Sequence, residues 1–177
     1  MSLGAGRAGP AAEPTSPALG RAVVITCSTR AASGVYPDRA GPLIVEALQA
    51  WGFAAEPPVV VPDGPPVGEA LRTAIASGAA VVVTTGGTGL SPTDATPEQT
   101  APLLDRLVPG IAEAIRAAGA RAGVPTAILS RGLAGLAGHT LVVNLPGSPG
   151  GVRDALAILA EVVPHAVDQV AGGDHRR

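Results

Sequence analysis

One stretch, residues 81–98 with the sequence VVVTTGGTGLSPTDATPE, limits the possible folds more than any other. Its β-branched start predicts a strand that is buried on both faces, as in a parallel sheet. Gly86, Gly87 and Gly89 follow at once. Glycine can adopt positive φ and lets another molecule approach the backbone, and the bare N–H groups can form an anion-binding nest. We therefore expect a strand that ends in a ligand-binding loop, residues 86–89, called the glycine loop below.

A helix is predicted to begin soon after the glycine loop. Thr96 is a suitable N-cap, Pro97 suits the first helical position, and Gln99 completes a capping box. Asp94 lies between the loop and this helix. Backbone donors beside a lone carboxylate suit a phosphate with its metal ion, and an open α/β sheet binds ligands at the carboxyl ends of its strands.

Two familiar glycine motifs are excluded. A P-loop ends in Gly-Lys-Ser or Gly-Lys-Thr, but this chain has no lysine, since all 12 of its basic residues are arginines. The dinucleotide-binding fingerprint needs a third glycine three residues after its second, whereas Gly89 is followed by Leu90, Ser91 and Pro92. A plain tight turn that feeds a capped helix remains the alternative interpretation.

Predicted strands and helices alternate along the chain, which indicates a three-layer α/β fold with a mainly parallel sheet and helices on both faces. Besides the central strand, strands are predicted at residues 21–28, 53–61 and 139–145, the second near a sheet edge because Pro57 and Pro58 interrupt it. Helices are predicted from residue 38 to residue 51, at residues 67–75, 97–107 and 110–122, and from residue 152, with Pro164 starting or kinking the last one.

Composition and charge narrow the class of protein. One domain is predicted at residues 21–172, with a disordered extension at residues 1–20 and a flexible tail at residues 173–177. The net charge of −2 without a basic run argues against nucleic acid, and no apolar run approaches the ~18 residues of a membrane span. Residues 1–20 lack the apolar core of a secretory signal, and a single cysteine, Cys27, fits a reduced cytoplasm, where we expect it to act as a small buried hydrophobe.

Asp63 and Asp94 are the candidate metal ligands. Each follows a predicted strand, so the two carboxylates could meet at one edge of the sheet, and a carboxylate pair with substrate phosphates is how Mg²⁺ is usually held. A Pro-Asp-Gly turn would also explain Asp63, and an extra helix cap would explain Asp94. Glu98 fits either a ligand contact or the first turn of a helix, where the dipole favours a carboxylate.

Four arginines are candidates for a phosphate clamp, because guanidinium offers bidentate geometry to phosphate. They are Arg30, Arg39, Arg131 and Arg153. Surface solvation is the alternative for each of them. Ser148 and the N–H groups after Pro146 could also bind an anion, at the start of the helix predicted from residue 152.

Several motifs together resemble the molybdopterin-binding family of molybdenum cofactor biosynthesis, which includes molybdopterin adenylyltransferases. The specific pair is TTGGTG followed by DxTPE at residues 84–98. Weaker support comes from STR at residues 28–30 with DRAG at residues 38–41, from VPD at residues 61–63, and from NLPGSP at residues 144–149. The resemblance covers about residues 21–170.

This resemblance implies Mg²⁺-dependent adenylyl transfer from ATP to molybdopterin, with Asp63 and Asp94 as catalytic metal ligands. It also implies a homotrimer, and other molybdenum cofactor biosynthesis proteins are further candidate partners. The expected substrate-binding residues are Thr85, Gly86, Gly87, Thr88, Gly89, Ser91, Glu98, Ser130, Arg131, Asn144, Pro146, Gly147 and Ser148.

Three positions depart from the family pattern. Thr29 stands where many members have Asp, Thr93 where Arg often precedes the metal-site Asp, and Gly150 where Lys is common. The last two changes remove positive charge near the expected phosphates. A module that binds molybdopterin without turning over ATP is therefore an alternative, and an enzyme acting on another nucleotide-like substrate is a third possibility.

Overall fold

The computed structural model describes residues 19–173, and within that range the strands form one seven-stranded sheet. The strands are β1 (Arg21–Cys27), β2 (Ala54–Ala55), β3 (Val59–Val61), β4 (Val81–Thr85), β5 (Arg106–Leu107), β6 (Ala134–Ala137) and β7 (Thr140–Leu145). Their order is β2-β1-β4-β7-β6-β5, and β3 also pairs with β1. The helices are α1 (Thr29–Ala32), α2 (Gly41–Ala50), α3 (Pro65–Ala76), α4 (Thr96–Thr100), α5 (Pro109–Arg121) and α6 (Pro149–Val170), with 3-10 helices at Ala101–Leu103 and Pro125–Leu129.

Three parallel strands, β1, β4 and β7, form the centre of the sheet. Val82 of β4 lies opposite Val23 on one side and Val142 on the other. The β-branched run of β4 is fully buried, as its sequence predicts, because helices cover both faces of the sheet. The register brings the carboxyl ends of the three strands to one edge, where Cys27, Thr85 and Leu145 end them.

Successive residues of β4 belong to different hydrophobic clusters, since side chains alternate across a strand. Val81 and Val83 pack in the cluster with α2, α5 and α6, whereas Val82 packs in the cluster with α3. The helices thus form a layer on each face of the sheet. This confirms the predicted three-layer α/β fold with a mainly parallel sheet.

The sheet departs from the prediction at its β5 edge, where the strands are antiparallel. A helix predicted at residues 97–107 ends instead after α4 and one 3-10 turn, and β5 follows. Pro102 has no N–H to continue a helix, and Asp105 N donates to Leu136 O of β6 at 2.7 Å. The sequence reasoning missed β6, because alanine and glycine are poor strand formers. Glycine is needed at position 135, since a Cβ atom there would overlap Arg106 O of β5.

Other local predictions had mixed outcomes. The strand predicted at residues 53–61 is split into β2 and β3 around Pro57 and Pro58 and lies at the sheet edge, as expected. The helix predicted from residue 38 begins only at Gly41, and the preceding loop contains the unpredicted α1. Pro164 does not start a separate helix, because α6 continues through it.

The predicted N-terminal extension and C-terminal tail lie outside the described residues, apart from three. Leu19 packs against the core, Gly20 O accepts a hydrogen bond from Ala54 N at 2.9 Å, and Gly173 N donates to Asp168 O at 2.9 Å. No helix within residues 19–173 combines the length and apolar character needed to cross a bilayer.

Candidate functional site

Two adjoining cavities open where β1, β4 and β7 end. The larger one, of about 610 Å³, is lined by residues 26–31 and 36–40 together with Asp63, Gly86 and others. The smaller one, of about 420 Å³, lies towards α5 and the Pro125–Leu129 turn. Gly87, Asp94 and Gly147 line both cavities, so the glycine loop stands between them.

Thr96 ties down the first half of the glycine loop. It is not the N-cap that the sequence predicted, since Ala95 caps α4 and no side chain bonds to this helix start. Its hydroxyl instead donates to Gly86 O at 2.9 Å, and its N–H donates to Gly87 O at 3.0 Å. The predicted capping box is therefore wrong, because the Thr96 side chain holds the loop.

Both glycines held by Thr96 have conformations that require glycine. Their φ values are +95° for Gly86 and +63° for Gly87. A Cβ atom on Gly86 would overlap the carbonyl oxygen of Cys27, and one on Gly87 would overlap the Thr96 hydroxyl. The loop thus packs against the end of β1 and the start of α4.

Arg131 ties down the second half of the loop. Its backbone N–H donates to Thr88 O, its Nε to Gly89 O and one terminal nitrogen to Asp94 O, each at 2.8 Å. Its other terminal nitrogen pairs with the Glu98 carboxylate. The hydrogen bond from Arg131 lowers the pKa of Glu98. Arg131 therefore holds the loop in shape, with its donors turned to protein acceptors rather than to a phosphate.

The two residues that hold the loop bond to its carbonyls and not to its N–H groups. All four carbonyls from Gly86 to Gly89 accept hydrogen bonds from Thr96 or Arg131. Gly86 N–H donates to Leu145 O at 3.1 Å, but within residues 19–173 no acceptor bonds to the N–H groups of Gly87, Thr88 and Gly89. Three consecutive unpaired donors suit a bound anion.

Asp63 reaches the glycine loop from the end of β3. Its Oδ2 accepts hydrogen bonds from the N–H and the hydroxyl of Thr29, at 2.9 and 2.8 Å. Its Oδ1 lies beside the loop, 3.2 Å from the position a Cβ on Gly87 would take. Thr29 departs from the family pattern, yet its hydroxyl orients the carboxylate.

Asp94 reaches the loop from the other side. Its Oδ2 accepts a hydrogen bond from Ser91 N at 3.2 Å and lies 2.7 Å from the position a Cβ on Gly89 would take. Asp94 does not cap α4, which argues against the structural alternative for this residue. The Ser91 hydroxyl pairs with Thr93 at the surface, 3.2 Å away.

The carboxylate oxygens beside the glycine loop suit a magnesium ion as ligands. Asp63 and Asp94 line the same cavity, and each has Oδ1 free of any hydrogen bond from residues 19–173. The described part of the chain contains no cluster of three or more histidine, cysteine or acidic residues. Mg²⁺ is commonly bound by one or two carboxylates, with substrate phosphates and water as its other ligands.

Two predicted substrate-binding residues are buried and engaged by the protein. Asn144, which is 3% exposed, accepts from Leu133 N at 3.0 Å and donates to the hydroxyls of Thr84 and Thr100 at 2.9 and 3.1 Å. Thr85 donates to Pro146 O at 2.7 Å. Both residues join the ends of β4 and β7. Thr85 also lines the larger cavity, whereas Asn144 lines neither cavity.

The remaining predicted residues line the smaller cavity. Ser130 donates to the hydroxyl of buried Thr88 at 3.2 Å, and Ser148 caps α6 by accepting from Gly151 N at 3.1 Å. Pro146 and Gly147 form the turn beside the glycine loop, since a Cβ on Gly147 would lie 3.2 Å from Gly86 Cα. Of the other arginines, Arg30 and Arg39 line the larger cavity, and Arg153 lines neither cavity.

Two further residues near β1 have structural roles. Asp38, whose part the sequence reasoning missed, accepts from the Thr26 hydroxyl at 2.6 Å and from Ala40 N and Gly41 N at 3.0 Å. It fixes the start of α2 beside the larger cavity, and its place just before a helix start was the available signal. Burial raises the pKa of the Cys27 thiol to about 12, which fits the predicted buried hydrophobe.

The chain matches a known protein family over most of its length. A family model described as a probable molybdopterin binding domain matches residues 23–165. The chain belongs to this family. Its glycine loop, both carboxylates and the turn at Pro146 all fall within the matched residues of the molybdopterin-binding domain.

Several proteins similar to this molybdopterin-binding domain are named for molybdenum cofactor or molybdopterin biosynthesis. A molybdenum cofactor biosynthesis bifunctional protein of Synechococcus elongatus is 41% identical over 87% of the chain. The chain covers only 48% of that protein, about half of its length. A molybdopterin adenylyltransferase of Helicobacter pylori is 36% identical, over 84% of the chain and 86% of that enzyme. The solved structure of the molybdopterin biosynthesis Mog protein from Mycobacterium ulcerans is 58% identical, with a TM-score of 0.81 over 85% of the chain and 98% of that structure.

Proposed function

We propose that the protein transfers the adenylyl group of ATP to molybdopterin, with Mg²⁺ as cofactor, and releases pyrophosphate. The observation that carries the proposal is the glycine loop, which presents the unpaired N–H groups of Gly87, Thr88 and Gly89 between the carboxylates of Asp63 and Asp94. Related adenylyltransferases of similar length support the choice of reaction.

The reaction places modest demands on acid–base chemistry. The terminal phosphate of molybdopterin attacks the α-phosphorus of ATP, a new P–O bond forms, and the bond to the departing pyrophosphate breaks. Because the nucleophile is already anionic, no strong general base is required. Catalysis then depends on positioning the two substrates and on neutralising their charge.

The chain's own residues divide this work. The loop N–H groups bind phosphate oxygens and hold them in place, while Asp63 and Asp94 would hold Mg²⁺. When bound, the ion would neutralise charge on the phosphates. Thr29 and Ser91 orient the two carboxylates through the hydrogen bonds described above, so both are positioning residues.

The two adjoining cavities suit two substrates. Their volumes, about 610 and 420 Å³, lie in the range of small-molecule sites. Gly87, Asp94 and Gly147 line both cavities, so substrates bound on either side would bring their phosphates together at the glycine loop. Adenylyl transfer needs such a meeting point, because the reacting atoms must come close to one another.

A molybdopterin-binding module without turnover is the second candidate. One observation favours it, because Arg131 spends its donors on the loop, and neither Thr93 nor Gly150 supplies a positive charge. Arg30 and Arg39 in the larger cavity, and Arg116 in the smaller one, are then the candidates for neutralising the phosphates. Wild-type protein that binds molybdopterin but releases no pyrophosphate from ATP would select this module over the enzyme.

The proposed homotrimer rests on the resemblance. Exposed apolar side chains, among them Leu107 at 63% and Ile128 at 65%, provide surface that contact with other copies would cover. Sedimentation equilibrium should give three times the mass of the chain, and a monomer at micromolar concentration would contradict the trimer.

The test of the proposed activity is a double-mutant cycle on the two carboxylates. Asp63→Asn and Asp94→Asn should each lower pyrophosphate release by roughly 10²-fold or more, because the ion supplies several kcal/mol of charge stabilisation. The double variant should lose little more than either single one, since both ligands serve one ion. Molybdopterin affinity should survive in all three variants.

Glu113→Gln, on the exposed surface of α5, is the matched control and should keep full turnover. Losses that multiply in the double variant would contradict a shared ion. Full turnover in Asp94→Asn would overturn the proposed mechanism.

A further inference from the structure

Within residues 19–173, Tyr36 is the only phenylalanine, tryptophan or tyrosine side chain that lines either cavity of the candidate site. The chain has one phenylalanine, one tryptophan and one tyrosine. Phe53 is buried in the core and Trp51 packs against the same core, whereas Tyr36 lines the larger cavity together with Gly86 and Asp63. Its position beside a phosphate-binding loop is therefore unlike that of the other two aromatic side chains.

Several contacts hold Tyr36 in place. Its hydroxyl pairs with the Ser28 hydroxyl at 3.0 Å, and the guanidinium carbon of Arg30 lies 5.0 Å from the ring centroid. A tight turn brings the two side chains together, since Val35 N donates to Arg30 O at 2.9 Å and Gly34 has a φ of +74°. The result is a guanidinium stacked on an aromatic ring, which we call the Arg30–Tyr36 stack.

This stack is open to a ligand. The Tyr36 side chain is 41% exposed, and both members of the stack line the larger cavity. Within residues 19–173 no carboxylate forms an ion pair with Arg30, so no acidic side chain neutralises its charge there. A flat apolar surface with a free positive charge favours a planar, electron-rich ring that carries phosphate.

We infer that the Arg30–Tyr36 stack is the subsite for the heteroaromatic ring of a substrate whose phosphates bind at the glycine loop. The inference rests on the proposed function, which supplies two substrates with such rings: the adenine of ATP and the pterin of molybdopterin. The shared chemistry is stacking of a planar nitrogen heterocycle on tyrosine and guanidinium. Such stacking is tolerant of ring identity, so the experiment must separate the two sources.

Calorimetric titration of the full chain separates them with three probes. ATP carries adenine, molybdopterin carries the pterin, and tripolyphosphate carries phosphates without a ring. Tyr36→Leu removes the aromatic ring, and Tyr36→Phe keeps the ring without its hydroxyl. Val35→Ala is the matched control, because Val35 is exposed in the same turn but does not line the cavity.

The stack predicts a selective loss. Tyr36→Leu should weaken one ring-bearing probe about tenfold, the size expected when one stacking side chain is removed, and leave tripolyphosphate within about twofold of wild type. Tyr36→Phe and Val35→Ala should bind all three probes within about twofold of wild type. The probe that weakens identifies the ring, adenine or pterin.

A second readout follows from the chain having a single tyrosine. With ring-labelled tyrosine, the spectrum contains one set of aromatic signals. The ring current of a stacked heterocycle should shift them on addition of the ring-bearing probe and leave them nearly unchanged on addition of tripolyphosphate. A residue that merely supports the loop would not distinguish the probes in this way.

The outcomes separate this inference from the proposed function. Wild type that transfers the adenylyl group while Tyr36→Leu binds both ring-bearing probes normally would overturn the inference alone. Equal weakening of tripolyphosphate would also overturn it, since the turn rather than the ring would then matter. Wild type that binds both substrates without releasing pyrophosphate would overturn the adenylyl transfer, yet selective weakening in Tyr36→Leu would still support the stack.

Discussion

At the scale of single residues, the glycine loop is shaped by two residues that line neither cavity. Thr96 and Arg131 hold its four carbonyls, and neither residue lines the larger cavity. Because all four carbonyls are already hydrogen-bonded within the protein, an anion that binds the N–H groups of Gly87, Thr88 and Gly89 has no internal hydrogen bond to displace. Such prior arrangement lowers the cost of binding.

Gly87→Ala should show how much this arrangement depends on one missing side chain. The added Cβ would overlap the Thr96 hydroxyl at a positive φ, so we expect a loss of about 1–3 kcal/mol in the free energy of unfolding. ATP affinity should fall at least about tenfold by calorimetry, because the loop must shift. Gly78→Ala, with a φ of +75° and open space around it, controls for backbone strain and should leave ATP affinity unchanged. Equal affinities for both variants would argue that the loop is a plain turn.

Glu98 provides a pH-dependent test of the Arg131 contacts. Its pKa in the folded protein is lowered, so its stabilising contribution is present above its unfolded pKa of about 4.3 and is lost as the pH falls through the lower folded value. The difference in unfolding free energy between wild type and Glu98→Gln should be below ~1 kcal/mol at pH 7, because the pair is exposed, and should shrink as the pH falls below the unfolded value.

Urea unfolding at several pH values measures this difference, and about 1 M NaCl should shrink it at pH 7 by screening. A difference that grows as the pH falls would contradict the assigned ion pair.

The sequence predicted which residues gather at the site better than what each of them does there. Glycines, carboxylates and their order along the chain are visible in the local pattern. The role of Arg131 is not, because three of its acceptors are backbone carbonyls 37 to 43 positions away in the chain, and any residue type supplies such a carbonyl. Thr96 was predicted to be a helix cap for a similar reason. A threonine before a proline can cap a helix or bond to a distant loop, and the local sequence does not distinguish the two roles.

At the scale of elements, α5 closes the smaller cavity by packing against the Pro125–Leu129 turn. Close contact is possible because Gly119 has no side chain: a Cβ there would lie 2.6 Å from Ala127 Cβ. Ile115, Arg116 and Gly119 line the cavity together with Ala127. The smaller cavity therefore depends on this helix and turn keeping their separation.

Gly119→Ala should push this helix and turn apart. Overpacking costs about 1–3 kcal/mol, and better helix propensity offsets up to ~1 kcal/mol, so we expect a net loss of about 1 kcal/mol in urea unfolding. Gly110→Ala in the same helix faces open space and should be neutral or slightly stabilising. The two variants having equal stability would show that the contact is not tight.

Strongly patterned elements were predictable, and weakly patterned ones were not. The valines of β4 and the leucine and valine residues of β7 announce buried strands, and α2 and α3 show clear apolar stripes. In contrast, β5 and β6 together contain arginine, leucine, alanine and glycine, and only their pairing makes them strands. Tertiary hydrogen bonds decided their conformation, and these are invisible in a short window of sequence.

At the scale of the whole molecule, the packed part of the described structure begins at Leu19. Leu19 packs against the core, and Ala54 N hydrogen-bonds to Gly20 O. The sequence of residues 1–18 shows no apolar periodicity. From the sequence we predict that residues 1–18 contribute little to the stability of the domain.

Deleting residues 1–18 should accordingly leave the melting temperature within about 3 °C of wild type. Loss of a packed element worth more than ~1 kcal/mol would shift it further in a domain of this size. Differential scanning calorimetry on both proteins measures the shift, and pyrophosphate release gives a parallel check of function. A larger drop would mean that the deleted residues contribute to the fold.

The burial of Cys27 has a practical consequence for chemical labelling. With its thiol pKa raised to about 12, Cys27 has almost no thiolate at neutral pH, and the chain has no lysine side chain to react with a thiol-directed label. A cysteine introduced at Leu90, which is 65% exposed beside the glycine loop, would then be the one fast-reacting thiol. A dye attached there would report ligand arrival in real time, without removing any native residue to silence the background.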